Sequence, residues 1–191
     1  MGEEVLDNNM SKLSSSSSLS PHFILVHGVS HGAWCWYKVR ALLETSGCSV
    51  TCIDLKGSGI EPSDPNFVVS FHDYNHPLVD LLTSLPNQEK VILVGHSAGG
   101  ISVTEAIHKF PEKIEAAVYV GATMLKLGFH SDQDVKDDST LAAMLLRPFP
   151  LAITKAQSEE GKDSERVARI YIKTLEDRVI KAEQQDAMIK R

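Results

Sequence analysis

Val91-Ile92-Leu93-Val94-Gly95-His96-Ser97-Ala98-Gly99-Gly100 decides how this chain is read. Four apolar residues make a buried strand, Gly-x-Ser-x-Gly makes a sharp turn, and Val103, Ala106, Ile107 and Phe110 then recur with helical period. A serine on such a strand-to-helix turn has the setting of a nucleophile elbow, which lifts Oγ clear of the sheet. The glycines serve the turn: side chains at Gly95 or Gly99 would clash across it, while Ser97 is pushed into strained dihedrals. The helix that follows, beginning at Ala98, aims free backbone N–H groups at the same point, where they stabilise developing negative charge. On its own the motif also reads as a tight structural turn, so its surroundings have to separate the two readings.

Working outward, Phe23 to Val26 is a second buried strand and runs into His27-Gly28-Val29. An oxyanion hole needs a donor from the loop after an early strand. Gly28 lets the chain pass close to a substrate, so the backbone N–H groups of Val29 and Ala98 are assigned to the oxyanion, with Gly28, Ser30 and His31 lining the pocket. Further apolar runs at Val50 to Leu55, Ile114 to Val120 and Val167 to Lys173 read as strands. Between them Trp36, Val39 and Leu43 share one helical face, Leu78, Leu81, Leu82 and Leu85 another, and Ala182 to Lys190 forms a last helix. Alternating strands and helices of this kind predict an α/β fold around a mostly parallel sheet. Regularity fails from Leu127 to Glu165.

The 191 residues, 42% of them hydrophobic, suffice for one sizeable core, and residues 21–191 are read as a single domain. Acidic side chains number 25 against 19 basic ones, and with no basic run nucleic acid is not an expected partner. The longest apolar runs fall far below the roughly 20 residues that cross a bilayer, so no membrane segment is expected. Cys35, Cys48 and Cys52 have neither an even count nor Cys-x-x-Cys spacing, which points away from a disulfide framework or a zinc site and fits a reducing compartment. Residues 1–20 carry Glu3, Glu4, Asp7 and the run Ser14 to Ser18, without an apolar core or an arginine. They read as a disordered tail rather than a leader peptide, and a cytoplasmic location is expected.

His27-Gly28-Val29-Ser30-His31-Gly32-Ala33-Trp34-Cys35-Trp36-Tyr37-Lys38, Val50 to Leu55, Glu89 to Gly100 and Lys113 to Val118 together resemble the plant methylesterase family, which also holds salicylic-acid-binding esterases and hydroxynitrile lyases. The resemblance runs from about Pro21 to Lys126 and from about Leu141 to Arg191. It implies an α/β-hydrolase core with a lid after the strand Ile114 to Val120, and hydrolysis of methyl esters of small plant hormones without metal or organic cofactor. Lyases of the family typically carry threonine at the position of Gly28 and glutamate at that of His96, so this chain has the esterase residues. The segments around Trp34, Cys52 and Tyr171 look most like members that cleave methyl indole-3-acetate, with methyl jasmonate and methyl salicylate as alternatives.

The fold's order of catalytic groups is Ser, then Asp or Glu, then His. Asp177 follows a strand and matches the acid of the family's Thr-x-Glu-Asp segment; its alternative reading is a solvated loop carboxylate or a helix cap. All eight histidines precede Asp177, so none stands in the expected position of the base. His27, His31 and His96 are expected to serve structure, and His72, His76 and His108 to lie on helices. Residues 122–166 are read as the remnant of a lid that jumps between Asp138 and Ser139, and the fold's C-terminal strand and helix as missing, as in a spliced or shortened gene product. Impaired hydrolysis, or a non-catalytic hormone-binding or regulatory role in which the same pocket takes the free acid, follows from that reading.

Overall fold

The protein is described by a computed structural model over residues 20–124, 150, 153 and 161–190. Five strands occur among these: β1 (His22–Val26), β2 (Ser49–Ile53), β3 (Val91–His96), β4 (Ile114–Val120) and β5 (Ala168–Ile172). All pair in parallel, in the order β2-β1-β3-β4-β5. The four helices among the described residues are α1 (Tyr37–Thr45), α2 (Phe71–Ser84), α3 (Gly99–Lys109) and α4 (Ala182–Ile189). None of them is long and apolar enough to cross a membrane.

Continuous apolar runs make β1 and β3 central because a parallel strand is covered on both faces. Ile24, Val26 and Leu93 meet Tyr74, Leu78 and Leu82 of α2 and Val103 and Ile107 of α3 in the larger core. On the opposite face Leu25 and Val94 meet Trp36. Here the helical face expected of Trp36, Val39 and Leu43 is corrected. Trp36 closes a short 3-10 turn, Ala33–Trp36, ahead of α1, and its indole fills the space over Leu25 and Val94. No residue of α1 is fully buried and Val39 is 41% exposed, while Leu43 packs partly buried against the Leu25, Trp36 and Val94 cluster.

α2 starts where the Ser70 hydroxyl accepts a hydrogen bond from the Asp73 N–H at 3.0 Å. Its far end is closed by the buried Lys113, whose Nζ donates to the carbonyls of Leu82 (2.9 Å), Thr83 (3.3 Å) and Leu85 (3.0 Å). Between the two helices the buried Glu105 accepts from Asn75 Nδ2 at 2.5 Å and from Lys109.

The registers align Val26 with Ile53 and Gly95, and His96 with Val120, which in turn faces Ile172. The loops leaving β1 to β5 therefore open on one rim of the sheet. Among the described residues β5 stands at the edge of the sheet, with Ile170 51% and Ile172 49% exposed. The tail read at 1–20, apart from Ser20, and most of the lid remnant read at 122–166 lie outside the described residues.

Candidate active site

Ser97 stands between β3 and α3 with φ of 52°, a left-handed conformation that non-glycine residues rarely adopt. Its neighbours show why the turn closes only on glycine. A Cβ on Gly99 would come within 2.5 Å of the His27 carbonyl oxygen, and one on Gly95 within 2.9 Å of Val103 Cγ2. The Ser97 carbonyl accepts from the N–H groups of Gly100 (3.1 Å) and Thr123 (3.0 Å), which pins the turn from both sides. Gly28 presses on the serine itself: a Cβ there would lie 2.9 Å from Ser97 Cβ and 3.4 Å from Oγ. Among the described residues the N–H groups of Val29 and Ala98 donate to no protein acceptor. Those two free donors flank the serine on the β1 and β3 loops.

The β1 loop is held by histidines. His27 is fully buried; Nδ1 donates to the Gly28 carbonyl at 2.7 Å and Nε2 accepts from the Leu55 N–H at 3.1 Å. One nitrogen must donate and the other accept, so the ring is neutral, and burial pushes its pKa down. Both nitrogens are spent, which removes His27 as a base for Ser97. His31 Nδ1 donates to the Val29 carbonyl at 2.9 Å, and its ring stacks on Trp34 and meets His96 edge-on. Ser30, buried with φ of 60°, forms the bend between them. Asp54, past the end of β2, ties the neighbouring loops together by accepting from the N–H groups of Ala33 (2.6 Å) and Ile60 (3.1 Å).

His96 packs edge-on against Trp36 as well as His31. Burial and the His31 ring lower its pKa, while the carboxylate of Asp177 acts in the opposite direction. Asp177 is thus brought to the same rim from the far side of β4. Its Oδ2 accepts from Thr174 Oγ1 at 2.7 Å, and its Oδ1 from the N–H groups of Val179 (2.8 Å) and Ile180 (3.0 Å). Gly121 makes room for it: at φ of 46°, a Cβ there would stand 2.7 Å from Thr174 Oγ1 and 3.2 Å from Asp177 Oδ2. Glu176, the neighbouring acid, points to solvent. Three of the other histidines have partners elsewhere: His22 with Glu89, His76 with Asp80, and His108 with the Gly161 N–H. His72 lies on α2 as expected, and His130 falls outside the described residues.

The α/β hydrolase fold family matches residues 21–152. Methylesterase 17 of Arabidopsis thaliana is 46% identical over 90% of this chain and 80% of its own length. The chain belongs to the plant methylesterase family of α/β-hydrolases. Pheophorbidase of Raphanus sativus is 36% identical over 89% of this chain and 81% of its own. The crystal structure of the Arabidopsis methylesterase MES16 superposes with a TM-score of 0.77 at 39% identity, covering 89% of this chain and 84% of that one. By family the protein is a serine carboxylesterase.

In this member of the family the positions named from sequence gather as two groups, Gly28, Val29, Ser30 and His31 around Ser97 and Ala98, and Asp177 beyond β4. Sequence reasoning missed the residues that hold the second group, Gly121, Thr174 and Gln185, and also Asp54 beside the first. A glycine closing a strand is a legible signal for Gly121. Polar side chains that act through tertiary partners leave no periodic trace.

Proposed function

We propose that Ser97 is the nucleophile of a methyl-ester hydrolase, with the Val29 and Ala98 N–H groups binding the oxyanion and Asp177 as the triad acid. Oγ attacks the ester carbonyl and its proton passes to a base. The tetrahedral oxyanion collapses with loss of methanol, and water then releases the acid from the acyl-enzyme. The observation that carries this reading is the left-handed Ser97 seated against Gly28, with two unpartnered N–H groups beside it. Gly28 also favours esterase over lyase chemistry, since a threonine hydroxyl there would occupy the oxyanion pocket that glycine leaves open to both backbone donors.

The substrates proposed are methyl esters of small plant hormones: methyl indole-3-acetate first, then methyl jasmonate and methyl salicylate. Within the 191 residues no histidine follows Asp177, and His27 is committed on both nitrogens. A polypeptide of these 191 residues alone is therefore proposed to turn over slowly, since acting without a triad base costs on the order of 10⁶ in kcat while the oxyanion hole retains about 10³ over water. The commitment of His27 favours a second reading, in which the pocket binds the free acid without cleaving its ester.

Burst kinetics with 4-nitrophenyl acetate separate the two. The 191-residue chain is expected to give no burst, because an unassisted serine is a weak nucleophile; a Ser97-dependent burst and hydrolysis of methyl indole-3-acetate once a histidine-bearing C-terminal segment of a methylesterase is grafted on support the esterase. Binding of indole-3-acetic acid by calorimetry, with no ester cleaved even by the grafted chain, supports the second reading and overturns the first.

A further inference from the structure

Gln185 is a fully buried amide on α4. Among the described residues every hydrogen bond of its side chain goes to the segment that carries Asp177. Oε1 accepts from the Thr174 N–H at 3.0 Å, and Nε2 donates to the carbonyls of Thr174 (2.9 Å) and Ile180 (2.6 Å). The Thr174 N–H can only donate and the two carbonyls can only accept, which fixes which end of the amide is which. Nε2 also reaches Thr174 Oγ1 at 3.2 Å, and that hydroxyl gives its own proton to Asp177 Oδ2 at 2.7 Å.

The loop from 174 to 180 is consequently closed at both ends by one side chain, with the carboxylate in between. The Gln185 side chain is itself fully buried, so removing the amide takes away bonds that the Thr174 and Ile180 groups make inside the fold.

We infer that Gln185 is the positioning residue of Asp177, setting the carboxylate's place at the rim through Thr174 and the Ile180 carbonyl. The inference rests on the reading of Asp177 as the triad acid. Gln185 touches no reacting atom. It converts the start of α4 into a clamp on the loop that leaves β5, and Thr174 is the link whose hydroxyl polarity points toward the carboxylate.

The test follows the His96 ring by NMR titration of the 191-residue chain, because Asp177 raises the pKa of that ring while burial and His31 lower it. Asp177→Asn serves as reference and is expected to lower the titration midpoint. Gln185→Leu and Thr174→Val are expected to lower it in the same direction, whereas Thr174→Ser, which keeps the hydroxyl, stays at the wild-type value. Should Gln185→Leu fail to fold, the valine and serine pair at Thr174 still decides the matter, with circular dichroism confirming folded protein.

An unmoved His96 midpoint in Thr174→Val, or in folded Gln185→Leu, overturns the inference, and so does an unmoved midpoint in Asp177→Asn. The titration needs no turnover. Absence of ester hydrolysis would count against the proposed reaction and leave the role of Gln185 to be judged by the midpoints alone.

Discussion

Gly28 and Ser97 touch so closely that a methyl group on the glycine would stand 2.9 Å from the serine Cβ, closer than folded proteins allow. The oxyanion loop and the elbow are in this sense one packed object. Gly28→Ala is expected to destabilise the fold by about 1–3 kcal/mol, the usual cost of overpacking. Because the collision is with a Cβ, adding Ser97→Gly should recover much of that loss, and adding Ser97→Ala should not. Urea unfolding of the two double-mutant cycles checks this; a coupling below about 0.5 kcal/mol in the glycine cycle would mean the contact is not rigid.

Ser97→Gly alone should stabilise the protein. The left-handed backbone costs a side-chain-bearing residue on the order of 1 kcal/mol, which glycine escapes. A higher melting temperature together with complete loss of acyl transfer is the expected pair of results. A lower melting temperature would show that the hydroxyl stabilises the turn more than its backbone strains it.

Lys113 offers a test of the fold apart from the chemistry. Replacing it with methionine keeps much of the stem but leaves the carbonyls of Leu82, Thr83 and Leu85 without their donor. The expected loss is about 2–3 kcal/mol, read as a lower urea midpoint at unchanged slope.

Acid should destabilise the chain earlier than its carboxylates alone would. His27 and His96 both have pKa values pushed below 6.5, first of all by burial, so each stays neutral in the fold at a pH where the unfolded chain takes up a proton. Unfolding then binds protons, and stability falls as the pH drops below 6.5 toward the lowered values, by up to about 1.4 kcal/mol per pH unit for each ring. Melting temperatures measured from pH 7.5 to 5 check the slope, which His27→Gln should reduce.

Much of this architecture was legible in the residues themselves. Val91 to Val94 and Phe23 to Val26 announced central strands because both of their faces are covered, and glycines around Ser97 announced the turn because nothing larger fits. Trp36, Val39 and Leu43 misled, since their common period could not reveal that the indole would occupy the sheet ahead of the helix. Asp177 is singled out by its place after a strand and by the Thr-x-Glu-Asp pattern, yet the residues that bond it are not. Thr174 and Gln185 look like ordinary polar residues of a loop and an amphipathic helix until β5 and α4 are folded against each other.

The two groups of the site hang from different parts of the sheet. Ser97 leaves β3, which is bonded on both sides by β1 and β4, while Asp177 follows β5, bonded on one side only among the described residues. Strands at an edge open more readily than those in the middle, and exchange their amides at free energies below that of global unfolding. Warming should therefore release β5, and with it the Asp177 loop, before the central strands let go, while the serine still sits intact on its turn. Inactivation that precedes denaturation, with early exchange confined to residues 168–190, would be the experimental face of that unequal suspension.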